Sequence, residues 1–149
     1  MAYQSMLLGR LHFVRWGTPV MDDVDRVLRE VQRGFAALKQ PLIGISLVPG
    51  DADPPKDDVR AAMVRNMDEL LRCNERLYFV MEGSGFRHSV MRSVLAGLLL
   101  VGGKRGRVAV HDDLNTAVAL VAPQVGHSAS EIMMAGRLHG VVSAERVAG

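Results

Sequence analysis

The sequence predicts an α/β fold: a four- to five-stranded, mostly parallel or mixed sheet with helices packed on it, and a further helix at the C-terminal end. Three observations carry this. Short apolar runs rich in β-branched and aromatic residues alternate with segments whose apolar residues recur at helical spacing. One run, LIGISLV at residues 42–48, is apolar nearly throughout, which suits a strand covered on both faces. Turn and capping residues fall between successive runs, where such elements should end.

Residues 7–16 (LLGRLHFVRW) read as a strand, with room for a short hairpin about Gly9 and Arg10. Thr18 and Pro19 suit the N-cap and first position of a helix, and Asp22 and Asp23 suit its positive end. Val24, Val27, Leu28, Val31, Phe35 and Leu38 then make one apolar face, and Pro41 closes the region. After the run at 42–48, Pro49 to Lys56 is the clearest loop in the chain. Asp57 or Asp58 is expected to cap a second helix with Val59, Met63, Met67, Leu70 and Leu71 inward. Residues 77–81 (LYFVM) are the next strand, and 82–85 turn the chain into a third helix. That helix is amphipathic at first and apolar nearly all round from Leu95 to Val101, until Gly102 and Gly103 stop it. Residues 107–111 (RVAVH) form a strand, and Asp112 or Asp113 caps a helix with Leu114, Ala117, Val118 and Val121 inward, expected to end before Pro123. Ser128 and Glu131 make a capping box for a last helix to about Leu138, and the residues from Gly140 onward are expected to fray. This divides the chain into an α/β domain over 1–123 and a C-terminal helix and tail over 124–149.

A chain of 149 residues is one ordinary domain, large enough to hold a core without disulfides or metals. With 48% hydrophobic and 23% charged residues it is neither disordered nor a coiled-coil rod. A net charge of +2 is too small to imply a nucleic-acid partner, and no aromatic residues are interleaved with the basic ones to stack bases. Cys73 is the single cysteine and cannot form an intramolecular disulfide. Residues 1–10 lack the features of a signal peptide. The most apolar run, 94–103, is half the roughly 20 residues a spanning helix needs. A cytoplasmic protein without an integral membrane segment is expected.

Three stretches resemble the STAS superfamily (sulfate transporter and anti-sigma factor antagonist), in its sporulation anti-anti-sigma-like, or STAS/SEC14-like, branch. They are LYFVMEGSGF at 77–86, the apolar helix ending in GGKRG at 102–106, and RVAVHDDLNTAVALV at 107–121. The resemblance covers residues 7–122 and is one of layout and apolar pattern. It implies a non-enzymatic regulatory module that binds a protein partner. In family members that carry the switch, the turn after the central strand reads Asp-Ser-Ser/Thr-Gly-Leu, and a partner kinase phosphorylates the first hydroxyl. Laid on this chain, Glu82 takes the Asp place, Gly83 the phosphorylated place, Ser84 the second hydroxyl, Gly85 the glycine and Phe86 the leucine. Gly83 has no hydroxyl, so a switch here would rest on phosphorylation of Ser84. The architecture is also similar to lipid-carrying CRAL-TRIO domains, but the chain is too short for their covering helices.

Read from the residues alone, Glu82, Gly83, Ser84, Gly85, Arg87 and His88 are the candidate site for a ligand or partner. They fall at a strand's carboxyl end and a helix's start, where open α/β sheets place ligands. Backbone N–H groups there, helped by Arg87 and His88, suit an anion, so a domain binding a small anionic ligand or a lipid is the alternative function. The plainer reading is a glycine turn with Ser84 as helix cap. Ser84, His88 and Asp112 or Asp113 supply the residue types of a serine hydrolase, without its Gly-x-Ser-x-Gly elbow. The five histidines lack metal-site spacing, and neither metal nor cofactor is expected. His111 reads as a local hydrogen-bonding residue and Cys73 as an inert thiol, although Arg72 beside it could lower its pKa. Arg87, Arg92, Lys104, Arg105 and Arg107 suggest a basic patch. Ile132, Met133, Met134 and Leu138 have little chain left to cover them, which points to a homo-oligomer.

Overall fold

The computed structural model describes residues 3–18, 20–83, 89–90, 92–93, 95–97 and 106–143. Its frame is a five-stranded mixed sheet, β1 (Tyr3–Leu8), β2 (Leu11–Trp16), β3 (Leu42–Val48), β4 (Asn74–Met81) and β5 (Val108–His111), lying side by side in chain order. β1 and β2 are an antiparallel hairpin whose two-residue turn holds Gly9 at φ +55°, and every later pairing is parallel. The helices are α1 (Met21–Leu38), α2 (Asp57–Cys73), α3 (Leu114–Val125) and α4 (Ala129–Leu138). The described residues between 89 and 97 are helical as well.

Strand order explains the layers. Parallel crossovers are right-handed, so strands that always step in one direction put their connecting helices on one face. Accordingly α1 packs on α2, and Leu95 joins Met67, Leu71, Leu77 and Met81 on that face. No strand follows β5 among the described residues, and α3 and α4 cover the opposite face. There Leu11, Phe13, Ile43, Ile45 and Val80 meet Leu114, Ala117, Val118 and Val121 in one continuous core. The run at 42–48 is a strand buried on both faces, as its composition requires.

Several boundaries differ from the sequence reading, each for a local reason. Helix α1 starts at Met21 with Val20 as its N-cap, where the Asp23 carboxylate accepts from the backbone N–H of Val20 (3.0 Å); Pro19, the expected first position, lies outside the described residues. Lys56, not an aspartate, occupies the N-cap of α2; Asp58 accepts from Val59 one residue in (2.8 Å). Helix α2 passes into β4 with no connecting residue, so the strand begins at Asn74, three residues earlier than the apolar run. Arg107 makes this junction possible: it donates to the carbonyls of Leu71, Asn74 and Glu75. Pro123 lies inside α3, which runs on to Val125 and ends with Gly126 at φ +73°. Asp113 caps α3, and Ser128 with Glu131 forms the capping box of α4. The chain after α4 does not fray at once. Val141 and Val142 are buried against Ile132 and Gly136, in the core that includes Phe13.

One polar cluster ties β1, β2 and α1 together. The Glu30 carboxylate accepts from Tyr3 Oη (2.8 Å) and Ser5 Oγ (2.7 Å) and lies 3.1 Å from His12 Nε2. Burial opposes its ionisation, but the hydrogen bonds from His12, Ser5 and Tyr3 outweigh that and leave its pKa below the usual carboxylate value. Burial, then the bond to Glu30, pushes the Tyr3 phenol up to about 12. A carboxyl with a lowered folded pKa contributes stability above its unfolded value, about 4.3, and loses it as pH falls through the folded one. Glu30→Gln is therefore expected to cost about 1–2 kcal/mol at pH 7 through loss of charge-assisted bonds. Urea unfolding at pH 7, 5 and 3 should show the gap between variant and parent shrinking at the lowest pH; a constant gap would mean the charge of Glu30 contributes nothing.

Candidate functional site

The carboxyl ends of β3, β4 and β5 share one edge of the sheet, and the loops that leave them form the candidate site. β4 delivers Glu82 and Gly83 there. Glu82 continues the ladder, its N–H donating to the carbonyl of Val48 (3.0 Å). Gly83 takes φ +95°, and a Cβ on it would lie 2.8 Å from the Cα of Gly50 in the β3–α2 loop. Two turns distant in sequence thus touch backbone to backbone, which only a pair of glycines permits. Gly83 is exposed and Glu82 half-buried. The remaining candidates, Ser84, Gly85, Phe86, Arg87 and His88, lie outside the described residues.

The aspartates after β5 have structural tasks. Asp113 accepts from Thr116 N (3.2 Å) and Thr116 Oγ1 (3.0 Å) as the α3 cap, and Asp112 receives a hydrogen bond from Arg92. His111 ends β5 with its ring stacked on Tyr78, centroids 6.0 Å apart. Its Nε2 is buried without a hydrogen-bond partner, so it is not the local hydrogen-bonding residue its neighbours suggested. Of the residues of the expected basic patch, Arg87, Lys104 and Arg105 lie outside the described residues, and Arg92 and Arg107 stand apart. Arg92 reaches Asp112 beyond the carboxyl end of β5, whereas Arg107 stands at the opposite end of that strand and is committed to backbone carbonyls.

Cys73 is fully buried, and burial raises its pKa; Arg72 acts in the other direction but does not prevail. Arg72 is engaged elsewhere. It donates through Nε to both oxygens of Glu69 (3.1 and 3.0 Å) and holds that carboxyl down at about 2. Among the described residues no group of three His, Cys, Asp or Glu side chains could hold a metal, and no helix is long and apolar enough to cross a membrane. On α4, Ile132 is buried and Met133 half-buried; Met134 and Leu138, at 59% and 82% exposure, are the apolar side chains left in the open.

A second concave feature lies inside the molecule. Between the sheet and the α1–α2 pair is a cavity of about 80 Å³, bounded by Val14 and Gly44 below and by Val27, Val31, Met63 and Met67 above. Asn74 lines it as well, a residue whose only prominence in the sequence is its place beside Cys73. Comparison with protein-family models, curated proteins and solved structures gives no match to this chain.

Proposed function

We propose that the protein is a non-enzymatic, STAS-like regulatory module of the bacterial cytoplasm that meets a protein partner at the carboxyl edge of its sheet, with the 82–86 turn as contact and Ser84 as the residue through which binding is switched. The Gly83–Gly50 contact carries this reading. It seats the start of the turn on the neighbouring loop and leaves Gly83 facing solvent, a rigid platform of the kind that recognition needs. The tasks of Asp112 and Asp113 also favour binding over hydrolysis, since both candidate acids of a triad are otherwise engaged.

Photo-crosslinking tests it. A benzophenone amino acid at Asp112 should yield one discrete adduct in extract from the cells that make the protein. The same group at Arg76, at the amino end of β4, should not. Ser84→Glu should lower the Asp112 adduct at least fivefold. Equal adducts from both positions, or an adduct indifferent to Ser84→Glu, would reject the proposal.

A further inference from the structure

The outer margin of β1 lies at the far side of the sheet from β5 and has a chemistry of its own. Leu8 and Leu11 flank the two-residue turn of the hairpin and exchange hydrogen bonds, so paired and unpaired residues alternate back along the strand. The N–H and C=O groups of Gln4, Met6 and Leu8 therefore turn to β2, and those of Tyr3, Ser5 and Leu7 turn outward. No described strand lies beyond them. Edge strands are commonly guarded by charge, proline, a bulge or shortness. β1 has six residues, YQSMLL, with no charge, no proline and an unbroken register against β2. The opposite margin, β5, has only four residues.

Helix α1 runs along this margin. On one side, its Glu30 meets Tyr3 and Ser5, and Gly34 sits against Leu7, whose Cδ2 would lie 3.4 Å from a Cβ there. On another side it meets α2, where Asn66 Nδ2 donates to Asp25 (3.0 Å) and Gln32 Nε2 to Glu69 (3.2 Å). Between these sides, at helical spacing, stand Arg26, Arg29 and Arg33. All three are exposed, and none is hydrogen-bonded or ion-paired to a described residue. Arg26 and Arg33 flank Glu30, and the charge of Arg26 reaches the Tyr3 hydroxyl. Glu30 itself is already held by Tyr3, Ser5 and His12.

A strand laid against β1 would put the side chains opposite Tyr3, Ser5 and Leu7 on the α1 face, beside these arginines. A second copy of the chain suits the place badly. Paired antiparallel about a two-fold axis, it would keep both α1 helices on one face and set their arginines against each other. We infer that the β1 margin is a docking site for an extended, acidic segment of a partner protein, which adds to the sheet beside β1 with its carboxylates toward Arg26 and Arg33. Backbone bonds to Tyr3, Ser5 and Leu7 hold the segment, and the arginines select it. Leu7, 50% exposed, offers an apolar contact at one end. This surface is separate from the 82–86 turn, and neither reading rests on the other.

Titration of the full chain with two capped peptides, one a repeat of Thr-Glu and the other of Thr-Lys, followed by amide NMR and hydrogen exchange, tests this. The Glu peptide should give saturable shifts and slowed exchange at the amides of Tyr3, Ser5 and Leu7, with smaller effects at Gln4, Met6 and Leu8. It should bind about tenfold tighter than the Lys peptide at low salt. Arg26→Glu combined with Arg33→Glu should reverse that order. Leu7→Pro removes an outward N–H where an edge strand tolerates proline, and should abolish binding of both peptides. The exposed arginine pair stands as the test should Leu7→Pro fail to fold. No saturable shift, shifts confined to residues away from β1 and α1, or equal affinity for the two peptides would each overturn the inference. So would a dimer in sedimentation that Arg26→Glu leaves intact and Leu7→Pro dissolves, which would assign the margin to a second copy.

Discussion

Gly83→Ser is expected to lower the unfolding free energy by about 2–4 kcal/mol, the combined cost of a strained backbone and a backbone clash. At φ +95° any L side chain is strained, and the new Cβ would lie 2.8 Å from the Cα of Gly50, an atom that cannot step aside as a side-chain end could. In a chain of this size the melting temperature should fall by roughly 5–15 °C. Gly97→Ala is the contrast, since nothing lies within 4 Å of its Cβ position and alanine favours a helix by up to about 1 kcal/mol. Calorimetry on the two variants should give shifts of opposite sign. A Gly83→Ser protein that melts within two degrees or so of the parent would show that the Gly50 contact is soft. The result bears on function. A hydroxyl at 83 is costly here, in keeping with the proposal above that the switch at this turn rests on Ser84.

Removing residues 140–149 is expected to cost about 3–5 kcal/mol. Val141 and Val142 are both buried, each worth about 1.5–3 kcal/mol relative to full exposure, less a part that a compact denatured chain already buries. The loss should appear as a lower urea midpoint. A double substitution sharpens the test. A Cβ on Gly136 would lie 2.6 Å from Val142 Cγ2, so Gly136→Ala should destabilise the full chain. In the shortened chain that neighbour is gone, and the same change should become neutral or stabilising through helix propensity. An unchanged midpoint on truncation would mean that Val141 and Val142 add nothing to the core.

Local signals read well wherever one element's own residues decide its structure. LIGISLV at 42–48 is a buried strand, and Ser128 with Glu131 caps α4 because both halves of that box lie within four residues. The signal fails where a distant group decides. Residues 74–76 (NER) do not look like a strand, and they become one because β3 offers a ladder and Arg107 holds the carbonyls at the junction. Val141 and Val142 have no period to read and are buried because Gly136 leaves room for them. At the site, Glu82 and Gly83 were legible as a strand-end turn. The partnership of Gly83 with Gly50 was not, since it joins two loops across a parallel strand pair. The unpaired Oδ1 of Asn74 is silent in the sequence for the same reason: it is a property of three dimensions and leaves no mark on composition.

The strands lie across the sheet in the order in which they are made. Each new strand therefore finds its partner already in place at the growing edge, so pairing demands no wait for a segment still to come. Closure of the second face is another matter. Ile132, Val141 and Val142 belong to the core that holds Met6, Leu11 and Phe13, so the first hairpin waits for nearly the last residues of the described chain before its other side is covered. Folding on the ribosome should then proceed in two acts: stepwise growth of the sheet beneath α1 and α2, followed by a single late seal once α4 and the residues after it emerge. Until that seal, the inner side of the hairpin is the surface most exposed to aggregation or to a chaperone.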